Sequence, residues 1–232
     1  MYKIGAPRNV LAAMELSQPA FTSGLPDIPV LSETLLQMEF EIDERPAHLA
    51  RVAHVILSDL GATIQVMRLA GREYAGNAGR IEDCVAALGL QACLDTMSKR
   101  TIARSHRHSA IVEVWEHARV IADISAVIAN QTDFNIAPED ASLAGLCHDI
   151  GRLPRLLGWD FPNQLPSDID LAALSIAAKF SLPLCVEEYF AGRHFGRMNN
   201  KWIAIVGWAH EVAEDPAIFL PDLESAAGLQ AV

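Results

Sequence analysis

Residues 110–129 read AIVEVWEHARVIADISAVIA. Ile111, Val114, Trp115, Ala118, Ile121, Ala122, Ser125 and Ile128 recur at three- and four-residue spacing, so they share one side of a 3.6-residue helix. No glycine or proline interrupts the stretch. A helix of this length spans about 30 Å and needs other helices to cover its apolar side.

The neighbouring segments supply those helices. Pro138-Glu139-Asp140 opens the next one, with proline in the first turn and two acids at the positive end of the dipole. That helix ends at Leu146-Cys147-His148-Asp149-Ile150-Gly151-Arg152. Further on, Ser167 with Asp170 resembles a capping box, and Asn200 is placed to cap a last helix over Lys201 to Val212. Before residue 110 the pattern is again helical. Val30, Leu31, Thr34, Leu35 and Met38 form one stripe, and Pro46 stands at a helix start before Leu49, Ala50, Ala53, Ile56 and Leu57. Asp59 is a candidate N-cap for a helix carrying Ile64, Met67 and Ala70. Arg80 to Leu88 stops at Gly89, and another helix runs from Leu90 to Lys99. No alternating strand pattern of useful length occurs, which makes the expected fold class all-α. Residues 1–24 read as a leader and the tail is weakly patterned.

His148-Asp149 carries the chemistry. Imidazole nitrogen and carboxylate oxygen are both good ligands for a divalent transition metal. In so apolar a run the pair needs either an ion or hydrogen-bonded partners. His117, on the 110–129 helix beside Trp115 and Ala118, is expected to be partly buried and to face them. On the last helix His210 is the expected fourth ligand, with Glu211 as runner-up. Bound metal would act as a Lewis acid on a phosphate ester. Without metal, the same residues would be core histidines satisfied by Asp149 and backbone carbonyls.

Composition narrows the choices. A formal charge of −11 over 232 residues disfavours a general nucleic-acid binder. The basic run Lys99-Arg100, Arg104, His106, Arg107 and His108 reads as a solvated connector between two helical lobes. Cys84, Cys93, Cys147 and Cys185 form no CxxC pair and sit in apolar contexts, as buried thiols of a cytosolic protein do. The longest apolar run, Trp202 to Ala209, is too short to span a membrane. No signal peptide is apparent. Trp159, Trp202 and Trp208 are expected to pack, and His194 to lie at the surface.

Taken in order, these motifs resemble the HDOD (HD-related output domain) branch of the HD superfamily. The resemblance rests on Leu25-Pro26-Asp27-Ile28-Pro29, on Asp59 to Ala70, on Tyr74-Ala75-Gly76 and on Ile81 to Gly89. It continues through Trp115-Glu116-His117, Pro138 to Ala141 and Ala144 to Arg152. It implies a two-lobed helical bundle over residues 25–213, with an N-terminal lobe at 25–108, an HD-like lobe at 109–213 and a tail at 214–232. It also implies a bacterial signalling module that binds a partner protein or a small ligand, with no catalytic residue assigned. The alternative is a metal-dependent phosphohydrolase that holds iron, manganese or zinc on His117, His148, Asp149 and His210, with Arg152 steadying a phosphate. The metal-dependent relatives carry an Asp where His210 stands, a change that would weaken a hard ion such as magnesium. The Gly-Tyr-Pro signature of the cyclic-di-GMP phosphodiesterase relatives is missing from this sequence.

Overall fold

The computed structural model describes residues 28–43, 48–74, 79–99, 108–159, 168–197 and 200–216. Among these residues the chain is all-α. The helices are α1 (Ser32–Asp43), α2 (Leu49–Leu57), α3 (Leu60–Tyr74), α4 (Ile81–Leu88), α5 (Leu90–Ser98), α6 (His108–Gln131) and α7 (Pro138–Cys147). A 3-10 turn (Ile150–Arg152) leads into α8 (Leu153–Leu157), followed by α9 (Ile169–Phe180), α10 (Leu184–His194) and α11 (Lys201–Glu214). The leader, Pro46, Arg100 to Arg107 and residues 217–232 lie outside the described residues. No single helix among the described residues is long and apolar enough to cross a membrane.

Local chemistry sets the helix ends. Asn200 Oδ1 accepts from the backbone N–H groups of Trp202 and Ile203, capping α11. The α9 cap is Asp168, whose Oδ1 accepts from Leu171 N at 2.9 Å. Ser167, the residue expected there, lies outside the described residues. Helix α4 stops where Gly89 turns to φ 83°, a conformation that only glycine enters without strain. Helix α10, which starts directly after Pro183, is an addition to the expected set.

Helices α1–α5 pack mainly on one another, and α6 packs along α7 and α11, while α3 touches both α6 and α9. The most extensive packing between two helices is that of α6 on α7, and it is close. A side chain added at Gly145 would meet Ser125 Oγ at 2.8 Å, Ala122 Cα at 2.9 Å and Ile121 O at 2.9 Å. Small residues on both helices therefore let the end of α7 settle against the middle of α6.

The two groups of helices are also joined by a buried carboxylate. Asp59 is fully buried and accepts four hydrogen bonds: Leu31 N (2.7 Å), Thr34 Oγ1 (2.9 Å), Ala62 N (2.9 Å) and Trp115 Nε1 (2.9 Å). Burial pushes its carboxyl pKa up, and the four donors offset only part of that rise. Asp59 caps α3 and, through Trp115, ties that helix start to α6 two residues before His117.

Candidate metal centre

His148 closes α7 as its C-cap. It is 3% exposed. Its Nδ1 lies 2.6 Å from the Gly145 carbonyl oxygen. A carbonyl can only accept, so Nδ1 carries the proton and Nε2 presents a lone pair. That Nε2 is buried and has no hydrogen-bond partner. Two more imidazoles face it. Ring centroids stand 5.1 Å apart for His117 and His148, 5.1 Å for His117 and His210, and 4.8 Å for His148 and His210. One nitrogen from each ring lies within 4.8 Å of the others. Nitrogens around a tetrahedral ion at 2.0–2.1 Å would sit about 3.3 Å apart, so this cluster is slightly open.

Burial favours the neutral form of His148 and His210. Burial lowers the His148 pKa to about 4, with Asp149 and the Gly145 carbonyl working against the shift and the other two histidines adding to it. His210 is lowered too, first by burial and then by His117. Neutral imidazole is the form that binds a metal.

Asp149 behaves differently from the three histidines. Its Oδ2 is 3.7 Å from His148 Nε2, too far for a hydrogen bond, and the same oxygen accepts from Arg152 Nη1 at 2.8 Å. Arg152, the residue expected to steady a phosphate in the hydrolase reading, is paired with Asp149. His117 is exposed, although part-burial was expected from its neighbours. Glu211 is exposed and not among the clustered groups; the acids whose charges His210 senses are Asp149 first and then Glu214, one turn beyond it. His194 is only partly exposed and lies 3.5 Å from Asp168.

Sequence reasoning missed the α10 contribution. Arg193 donates to the Tyr189 hydroxyl (3.0 Å), pairs with Asp170 (3.1 Å) and senses the charge of Asp149. Tyr189 and Arg193 at i, i+4 were the available signal.

The donor set fits a divalent transition ion on two grounds. A buried imidazole nitrogen is left without a partner, and two other imidazoles converge on it. His117, His148 and His210 are the residues that would hold such an ion, with Asp149 adjacent. Three imidazoles suit zinc, iron or another borderline ion better than magnesium.

The chain belongs to the HDOD domain family, whose model matches residues 28–165. That span takes in α1 through α8 but ends before His210. No curated protein matches the chain. Two crystal structures of the MmoQ response regulator from Methylococcus capsulatus strain Bath share the fold. One is 16% identical with a TM-score of 0.66, covering 82% of this chain and 87% of that one. The other, of a fragment, is 16% identical with a TM-score of 0.63, covering 89% and 92%. At this identity the likeness speaks to the fold alone.

Proposed function

We propose that this chain is a bacterial signal-transduction module that works by binding, not by turnover. Its domain runs over residues 25–213, as an N-terminal lobe and an HD-like lobe. It acts in the cytoplasm on a partner protein or a small ligand at the junction of the lobes. The observation that carries this reading is the state of Asp149, the carboxylate next to His148. Asp149 Oδ2 is taken by Arg152, and the third ligand position is the imidazole of His210. A general base within hydrogen-bond reach of a bound water is what the hydrolytic reading needs, and the paired Asp149 is poorly free to serve. The family match and the likeness to a response regulator are consistent with a signalling role.

The metal-dependent phosphohydrolase is the second reading, favoured by the partnerless His148 Nε2 among three imidazoles. In it the ion would be iron, manganese or zinc, supplying Lewis-acid chemistry at a phosphate ester. This chain's residues would hold and orient: His117, His148 and His210 as ligands, Asp149 beside them and Arg193 close behind.

One comparison separates the readings. Protein purified without an affinity metal column is assayed for metal content and for hydrolysis of a panel of phosphate mono- and diesters, beside His148→Ala. Absence of turnover in protein reloaded with iron, manganese or zinc supports the binding module. Turnover that is lost in His148→Ala overturns it in favour of the hydrolase.

A further inference from the structure

The turn after His148 puts a cation where a metal-binding carboxylate is wanted. In a 3-10 turn residues i and i+3 eclipse. Arg152 N donates to the Asp149 carbonyl at 2.9 Å, which closes the turn, and this stacks the Arg152 side chain on that of Asp149. The result is the 2.8 Å contact to Oδ2, the oxygen that also faces His148 Nε2 at 3.7 Å. The turn is anchored. A side chain added at Gly151 would stand 2.3 Å from the Ile169 carbonyl oxygen, so the backbone here is pressed against the start of α9. Asp149 is mostly buried, at 18% exposure, whereas Arg152 is 57% exposed. The guanidinium therefore reaches the carboxylate from outside and keeps other donors toward solvent.

Counting charges shows the consequence. The Asp149 carboxylate is balanced by the Arg152 guanidinium, with the Arg193–Asp170 pair and Glu214 also acting on the groups around it. A divalent ion at the histidines would draw on Asp149 Oδ2 and leave Arg152 unpaired beside a centre of excess positive charge. A dianion bound by the guanidinium fork would restore the balance. We infer that Arg152 is a built-in competitor of a divalent ion for Asp149, and that an oxyanion of the phosphate type, by drawing Arg152 off Oδ2, makes ion and anion bind cooperatively. This rests on the metal site considered above. It makes the chain a coincidence detector, weak toward ion or oxyanion alone and stronger toward both, with the coupling equal in either direction.

Cobalt(II) is the probe, titrated by its ligand-field absorption into wild type, Arg152→Gln, Arg155→Gln and His148→Ala, with and without inorganic phosphate. Arg155 is exposed on the following helix and controls for the loss of one nearby positive charge. Circular dichroism confirms that each variant is folded. We expect Arg152→Gln to bind cobalt about five-fold tighter than wild type without phosphate, the size of one half-exposed ion pair released. Arg155→Gln should match wild type. Phosphate should tighten cobalt binding in wild type and leave Arg152→Gln unchanged. Equal cobalt affinity in wild type and Arg152→Gln, or phosphate coupling that persists in Arg152→Gln, overturns the inference and leaves the metal site standing. Cobalt spectra no different from those of His148→Ala in every variant overturn the metal site and the inference with it.

Discussion

Asp59 and His148 are both polar, both buried and both set at a helix end, one in each group of helices. They differ in how completely they are satisfied. Asp59 receives four donors from α3, the α1 entrance and Trp115, which use its acceptor capacity without remainder. His148 satisfies one nitrogen on the Gly145 carbonyl and leaves the other bare, facing two more imidazoles. A fully satisfied buried polar group explains itself as architecture. A half-satisfied one costs free energy unless something outside the chain completes it.

The largest break in this comparison is Asp59→Ala, which strands four donors at once. It should cost about 3–5 kcal/mol of stability, measured by urea unfolding. Asp59→Asn should lose nearly as much, because its amide turns donors toward donors. A cost under about 1 kcal/mol would show that the clasp is not structural.

Next comes acid. In metal-free protein the unfolded chain protonates His148 near pH 6.5, but the folded one only near 4. Between those values the unfolded state binds more protons, so stability falls as pH falls. The loss through this group is up to about 3 kcal/mol, complete below pH 4. Urea midpoints from pH 7 to 4 read it, and His148→Ala should lack this component.

His148→Ala itself should cost metal-free protein only about 1–2 kcal/mol, since it removes one hydrogen bond and also an unpartnered nitrogen. Its main effect should be loss of bound metal by elemental analysis. If the histidines only hold helices together, stability would fall further and metal content would not change. The smallest effect is that of Trp115→Phe, which removes one of four donors to Asp59 while keeping a six-membered aromatic ring in the core. About 1 kcal/mol is expected from thermal unfolding, with metal content unchanged.

Much of the fold was legible along the chain. The 110–129 periodicity, Pro138, Gly89 and Asn200 mark real helix features because amphipathic spacing and capping act over a few residues. Asp59 was readable as an N-cap, but its bonds to Leu31, Thr34 and Trp115 were not. Those partners lie 28, 25 and 56 residues away in sequence. Helix α10 was missed, and with it Tyr189 and Arg193.

The sequence by itself determined the all-α class, the family and the short list of chemically able residues: His117, His148, Asp149 and His210. These follow from local periodicity and from which side chains can hold a metal. Only the tertiary structure decided how they divide. The close α6–α7 crossing at Gly145 and the docking of α11 bring three imidazoles from distant segments together. The 3-10 turn, pressed against α9, hands the carboxylate to Arg152 instead. Which atoms a side chain meets is fixed by packing between segments far apart in the chain, and no local pattern carries that information.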